Sequence, residues 1–482
     1  MRTAAAARAT TLPGMSEQGR QAAIDRMREA GVAERAVTVF AHYYDELEHG
    51  ATGTIAEDDI EPLTGPERLA DVDVDVDADE GRQALSRTAI IKLNGGLGTS
   101  MGMDRAKSLL TVRDGASFLD VIAGQVLSAR AQHGVRLPLL LMDSFRTSED
   151  SLQALQAHPD LPVDGLPLDF MQNREPKLRA DDLMPVDWPA DPSLEWCPPG
   201  HGDLYTALET SEVLSQLLDA GFRYASVSNS DNLGAAPDAA LAGWFARSGA
   251  PYAAEVCERT PADRKGGHLA CRRGDGRLVL RETAQVRPQD INAYSDIERH
   301  PFFHTNNLWF DLQVLADTLS AREGVLGLPL IRNAKTVDPA DPASAEVVQI
   351  ETAMGAAIEV FEGATAIAVD RSRFLPVKTT NDLLLVRSDV YELREDSGLE
   401  RRVASAPLVD LDSDPYKLVG PFEERFASGV PSLRSAESFT VRGDWSFGTG
   451  VRAEGAATLA EPAGGRGRVP DGATVGPQGV QP

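Results

Sequence analysis

Between Ala89 and Ser108 an apolar run, Ala89 to Leu93, gives way to four glycines and then to Lys107. The glycines are Gly95, Gly96, Gly98 and Gly102. Glycine permits positive φ and close backbone approach, so successive N–H groups can be turned on one anion. A lysine ammonium adds a compact charge suited to phosphate. A buried parallel strand, a glycine loop and a lysine therefore point to a phosphate-bearing ligand. Two common phosphate loops do not fit. A Walker loop needs glycine directly before the Lys-Ser pair and another five residues earlier, where Ala106 and Met101 stand. A dinucleotide fingerprint, Gly-x-Gly-x-x-Gly, is one residue too short for Gly96-Leu-Gly98-Thr-Ser-Met-Gly102. The acid it requires is also missing, because the next apolar run, Leu137 to Met142, ends in Asp143 much too late.

Two further stretches carry chemistry. Asn229-Ser-Asp-Asn-Leu233 follows the apolar run Tyr224–Ser228. A carboxylate at the carboxyl end of a parallel strand can hold Mg²⁺ beside a triphosphate, and an Asn/Asp-rich turn explains the same residues equally well. In Glu195-Trp-Cys-Pro-Pro-Gly-His-Gly-Asp203-Leu-Tyr205, two prolines fix the loop, and Gly200 and Gly202 free the backbone around His201. From the residues alone, His201 is a ligand contact or a satisfied loop histidine.

Composition narrows the class. The chain has 482 residues, enough for two or three domains and a large core. A net charge of −26 argues against non-specific nucleic-acid or anionic-membrane binding, so an anionic substrate must be drawn by a local basic patch. Cys197, Cys257 and Cys271 have no metal or redox spacing and read as reduced packing residues of a cytoplasmic protein. No apolar run approaches the roughly 20 residues of a membrane span. Lysines are scarce among the 47 basic residues: Lys92, Lys107, Lys177, Lys265, Lys335, Lys378 and Lys417. Arginine is the default cation, so a retained lysine is a candidate for a task a guanidinium does badly.

The elements that must position these residues alternate. Ala89–Leu93, Leu137–Met142, Tyr224–Ser228, Tyr252–Cys257, Asn307–Phe310 and Ala364–Val369 read as strands. Val121–Gln132 and Thr206–Leu218 read as helices, and Ser16 to His49 is helical by apolar spacing. Alternation of this kind predicts an α/β fold, a mostly parallel sheet with helices on both faces and ligands beyond the strands' carboxyl ends. Asp71 to Glu80 alternates Asp and Val and reads as a solvated linker. From about Val403, short apolar steps separated by glycine suggest a small left-handed β-helix, with a loosely ordered tail beyond Pro462 as the alternative.

The run Leu93-Asn-Gly-Gly-Leu-Gly-Thr-Ser-Met-Gly102 closely resembles the signature of the eukaryotic-type UDP-glucose pyrophosphorylase (UTP–glucose-1-phosphate uridylyltransferase) family at every residue. It departs at Ala106, where that family usually has proline. Trp196-Cys-Pro-Pro-Gly-His-Gly-Asp203, Met171-Gln-Asn173, Asn333-Ala-Lys-Thr336, Gln349–Ala357, Ser372–Thr380, Lys417–Gly420 and Phe439–Gly448 are similar in turn. Phe303-His-Thr-Asn-Asn-Leu-Trp309 is similar too, with His304 in place of an asparagine; a neutral imidazole can still donate and accept. The likeness runs from about Ile24 to Val475.

That resemblance implies a nucleotide-diphospho-sugar transferase-like α/β fold. Its expected parts are a disordered extension over 1–14, a helical region with an acidic linker over 15–86, a catalytic domain over 87–387 and a C-terminal β-helix-like domain with a tail over 388–482. It implies uridylyl transfer from UTP to glucose 1-phosphate, giving UDP-glucose and pyrophosphate, with Mg²⁺ on Asp231 and with Lys107 and Lys378 as the catalytic cations. UTP contacts are implied for Leu93, Asn94, Gly95, Gly96, Lys107, Gln172, Gly200, Asn229, Ser230, Asp231 and Lys378. Sugar-phosphate contacts are implied for Gly95, Gly96, His201, His304, Thr305 and Asn306. Self-association, where it occurs, is expected through the C-terminal domain. Two rivals stand beside this reading. UDP-N-acetylhexosamine pyrophosphorylases have Gln and Arg where this loop has Leu97 and Ser100. A catalytically silent nucleotide-sugar sensor would not need Lys107, Asp231 and Lys378.

Overall fold

Thr88–Leu93 and Leu139–Asp143 are buried over nearly their whole length and pair in parallel, Ile90 opposite Leu139 and Leu93 opposite Met142. A continuous apolar run is what a strand covered on both faces requires. The computed structural model describes residues 15–72, 79–260 and 263–481. The expected extension over 1–14 and most of the Asp/Val alternation lie outside the described residues. The fold is mixed α/β, with helices around a large, mostly parallel central sheet. The chain separates into two compact units, each made of three stretches.

One unit comprises the described parts of Met1–Asp71, Phe170–Ala225 and Phe245–Ala368. Helices Met15–Glu29 and Glu34–Glu48 pack on each other, the second burying Val37, Phe40, Tyr44 and Leu47. The strand Tyr252–Glu258 lies parallel to Thr365–Ala368 and antiparallel to Phe302–Asp311. In the second pairing Ala254 faces Leu308 while Val256 faces His304. The span 305–307 therefore bulges opposite the single residue Glu255. The expected helix Thr206–Leu218 is in fact two, Leu204–Thr210 and Val213–Asp219. Glu212 between them takes a left-handed φ of 62°, which breaks the helical ladder.

The other unit comprises the described parts of Val72–Asp169, Ser226–Trp244 and Val369–Pro482. Besides Thr88–Leu93 and Leu139–Asp143 it holds the helix Phe118–His133, opened by a Ser117/Asp120 capping box and closed by Gly134 at φ 62°. At its C-terminal end Leu408–Leu411, Ser432–Val441, Arg452–Leu459 and Thr474–Gly476 stack in parallel, and Asp444–Phe447 pairs in parallel with Arg466–Val469. Phe439, Val441, Phe447, Leu459, Val469 and Val475 fill the interior of this stack. Strands continue to Gly479–Gln481, so the stretch beyond Pro462 is ordered.

Candidate active site

Three side chains separated widely in sequence meet in the second unit. Lys107 Nζ donates to Asp231 Oδ2 at 2.7 Å, and Lys378 Nζ donates to the same oxygen at 2.8 Å. Lys107 also donates to the Val377 carbonyl. Two ammoniums on one carboxylate oxygen leave a net positive cluster, the local basic patch that an acidic protein needs for an anionic substrate. Lys107 and Asp231 retain only 15% and 10% side-chain exposure, whereas Lys378 retains 57%. The first pair is thus shielded from solvent screening, and the second is open to exchange.

The backbone explains the meeting. Ser230 N–H bonds the Leu93 carbonyl at 3.0 Å, which ties the turn after strand Tyr224–Asn229 to the end of Thr88–Leu93. Asn232 then zips that turn to the segment before Lys378: its Oδ1 accepts from Leu375 N–H at 2.8 Å, and its Nδ2 donates to the Arg373 carbonyl at 3.1 Å. Val377 N–H bonds the Asp231 carbonyl at 3.1 Å. Below, the buried Lys92 donates to Ser228 Oγ at 2.7 Å and to the Ala235 carbonyl at 2.8 Å, holding both ends of the turn. Asn94 is buried, and its amide donates to Asp143 at 2.7 Å and Ser151 at 2.8 Å, so its side chain braces the strand end. Burial raises the Asp143 carboxyl to about 6. Gly95 accepts from Ser144 Oγ at 3.1 Å, and Gly96 accepts from Lys107 N–H at 3.1 Å, which fixes the glycine loop against the lysine it precedes.

The first unit carries the remaining expected residues. Gln172 follows strand Asp169–Met171, and its neighbour Asn173 is clamped by Asp203, which accepts from Asn173 N–H at 2.6 Å and Nδ2 at 2.8 Å. Burial lifts the Asp203 carboxyl to about 7 and holds the Glu175 carboxyl well above its usual range. Gly200 has φ +81°, and a Cβ there would stand 2.6 Å from the Thr352 carbonyl, so this turn requires glycine. Gly202 N–H bonds the same carbonyl at 2.8 Å. His201 Nδ1 accepts from Met354 N–H at 3.0 Å. A ring nitrogen that accepts carries no proton, so a neutral His201 holds its proton on Nε2.

The bulge in Phe302–Asp311 shapes the rest. Asn306 sits at φ 59°, left-handed for a residue with a side chain. His304 Nδ1 accepts from Asn306 N–H at 3.1 Å, and its buried Nε2 has no protein partner. Burial depresses the His304 ring to about 4, so it remains neutral at physiological pH. Thr305 turns inward: its hydroxyl donates to the Glu255 carbonyl at 2.8 Å and accepts from Asn307 N–H at 3.2 Å. Glu255 accepts from Asn307 Nδ2 at 3.1 Å and Trp309 Nε1 at 3.0 Å. Sequence reading passed over Asn232, Asp203 and Glu255. Asn232 and Asp203 stand within quoted motifs and Glu255 within the strand Tyr252–Cys257, but each acts on a partner remote in sequence or hidden in a bulge.

A glycine loop beside a shared Asp–Lys–Lys centre on an α/β framework has the make-up of a phosphate-handling protein. The chain belongs to the UTP–glucose-1-phosphate uridylyltransferase family, whose model matches residues 37–453. It is 39% identical to the potato (Solanum tuberosum) UTP–glucose-1-phosphate uridylyltransferase over 404 residues, 83% of this chain and 82% of the relative. The Saccharomyces cerevisiae enzyme of the same name is 36% identical over 441 residues, 91% and 86%. A Leishmania major UDP-glucose pyrophosphorylase mutant in complex with UDP-glucose superposes with a TM-score of 0.88 at 41% identity, covering 95% of this chain and 98% of its own. Among the described residues, no helix is long and apolar enough to cross a membrane.

Proposed function

We propose that the protein transfers the uridylyl group of UTP to glucose 1-phosphate, giving UDP-glucose and pyrophosphate. The observation that carries this reading is the convergence of Lys107 and Lys378 on Asp231 Oδ2. A sugar-phosphate oxygen attacks the α-phosphorus in line, the bond to the bridging oxygen breaks, and its electron pair leaves with pyrophosphate. The protein positions and neutralises; it forms no covalent intermediate.

Each residue has a part. Lys107 spends two of its three donors on Asp231 and Val377, leaving one for the β- and γ-phosphates. Lys378, largely exposed, moves its charge onto the α-phosphate as negative charge grows there. His201 donates through Nε2 to the sugar phosphate, His304 offers its unpartnered Nε2–H to a sugar hydroxyl, and Gln172 and Gly200 meet the uracil edge and the uridine. The donor set fits Mg²⁺: Asp231 Oδ1 is buried without a protein partner. Among the described residues no cluster of three or more His, Cys, Asp or Glu could hold a metal alone, so phosphate oxygens and water would complete its shell. Bound there, Mg²⁺ would supply charge neutralisation to the phosphates. The same reading takes the C-terminal parallel stack as a left-handed β-helix, the span 87–387 as the catalytic domain and the cytoplasm as the compartment. Pyrophosphate release measured with UTP and a panel of sugar 1-phosphates tests it; the fastest turnover is expected with glucose 1-phosphate, and release with none of them refutes it.

A further inference from the structure

Lys417 is left without a role by the mechanism above, although this chain places a lysine only seven times. It lies just after a short helical turn, Ser413–Tyr416, in the C-terminal part of the second unit. There it lines a cavity of about 210 Å³ together with Ser100 and Met101 of the glycine loop, Lys378, Thr380 and Leu411. Such a space admits several waters or a small hydrated anion. The helix Thr380–Arg387 does not supply the charge for an anion here. The N–H groups of Lys378 and Thr379 are already taken by Asp382 Oδ2, at 2.9 and 2.8 Å. Asp412 is the one carboxylate lining the cavity, and its oxygens are committed to the N–H groups of Gly443 at 2.9 Å and Asp414 at 3.1 Å. The two ammoniums of Lys378 and Lys417 are the cations that line the cavity and face an anionic guest.

The cavity is also joined to the reacting centre. Lys378 lines it and holds Asp231, so one side chain belongs to both. Gly102, at φ +75°, lets the glycine loop lie against Leu418: a Cβ there would stand 3.1 Å from Leu418 Cδ2. Leu411 N–H bonds Asn381 Oδ1 at 3.1 Å, which fixes the terminal strands to the helix that follows Lys378. The C-terminal region thus presents Lys417 at a fixed place beside the glycine loop.

We propose that this cavity receives the leaving pyrophosphate, and that Lys417, from the C-terminal region, is a binding residue for it. The inference rests on the uridylyl-transfer reading. When the bond between the α-phosphorus and the bridging oxygen breaks, the electron pair goes to that oxygen and the pyrophosphate carries an added negative charge. Lys378 accompanies the α-phosphate, Lys107 holds the β- and γ-phosphates until the bond breaks, and Lys417 receives the departing group in the cavity.

The test runs the reaction in reverse, from UDP-glucose and inorganic pyrophosphate with Mg²⁺. In Lys417→Met the KM for pyrophosphate should rise about tenfold, the loss expected for one charge-assisted hydrogen bond. The KM for UDP-glucose should not change, and Lys417→Arg should recover most of the loss. An unchanged pyrophosphate KM overturns the proposal, as does an equal rise in both constants, which marks a merely structural role. Lys417 is exposed, and circular dichroism verifies the fold of each variant. Calorimetric titration of inorganic pyrophosphate separates this proposal from the reading beneath it. Wild-type binding that weakens in Lys417→Met supports the cavity even where no turnover is seen, and equal binding by both proteins rejects it.

Discussion

The two units hold their functional side chains by opposite means. In the second, charge is held by charge: Lys107 and Lys378 share one carboxylate oxygen, and the outer lysine is 57% exposed. In the first, the side chains are neutral and fixed by backbone groups: Met354 N–H orients His201, and Asn306 N–H orients His304. On the proposed reaction the two kinds of anchoring have different work to do. A phosphate whose charge changes during reaction needs cations that can exchange partners. A sugar ring that only has to be recognised needs donors whose direction does not change.

Removing the charge at the centre of the first kind of cluster should have the largest effect. Asp231→Ala strips both lysines of their counter-ion and removes the free Oδ1. Turnover should fall on the order of 10³ or more at ordinary Mg²⁺, with the protein still folded. Asp231→Asn, which keeps the shape, should do nearly as badly. A titration of activity against Mg²⁺ checks both, and near-normal turnover would remove the metal assignment.

Lys378 comes next. Lys378→Ala should lose about 10²–10³ in kcat, with the Kd for UTP changing far less, because its contact strengthens as charge develops. Lys378→Arg should be almost as impaired. Asp231 Oδ2 already receives the Lys107 ammonium, and a planar guanidinium is wider and longer than the compact group it would replace. A near wild-type Lys378→Arg would mean that bare charge suffices and that the Asp231 cluster is looser than its geometry implies.

The sugar side should discriminate by shape. Glucose 1-phosphate should be favoured over its N-acetylglucosamine counterpart by about tenfold or more in kcat/KM. The loop carries Leu97 and Ser100 where the N-acetylhexosamine enzymes have Gln and Arg, and an acetamido group without partners leaves its polar atoms unpaired. Equal turnover of the two sugars would transfer the protein to the N-acetylhexosamine relatives.

The smallest effect tests the neutral design directly. His304→Asn, which puts in the asparagine usual in the family's motif, should change the KM for glucose 1-phosphate by no more than about threefold, one neutral hydrogen bond replacing another. It should also change the response to acid. The folded-state His304 titrates at about 4, below the ordinary histidine value of about 6.5. Between those values the unfolded chain binds more protons than the folded one. Its contribution to stability is therefore complete above about pH 6.5 and is lost as pH falls toward 4. The wild type should lose more melting temperature over that window than His304→Asn, and parallel profiles would show that the ring is not held neutral.

The sequence by itself determined the local pieces: the strand Thr88–Leu93 with its glycine loop, the scarce lysines, the proline-fixed turn around His201 and the Asn-Asp turn at Asn229–Asn232. These are legible because each depends on residues a few positions apart, whose backbone preferences are intrinsic. Only the tertiary structure decided what they act on. Lys107 and Lys378 lie 124 and 147 residues from the aspartate they share. The tautomer of His201 is set by a backbone N–H 153 residues away. The bulge that holds Asn306 at a left-handed φ lies opposite Glu255, on another strand, which accepts from both Asn307 and Trp309. The break at Glu212 was equally hidden, since apolar spacing continues through it and cannot report one residue's φ. Hydrogen-bond partners across a sheet are chosen by chain folding, and no local pattern of residue types encodes them.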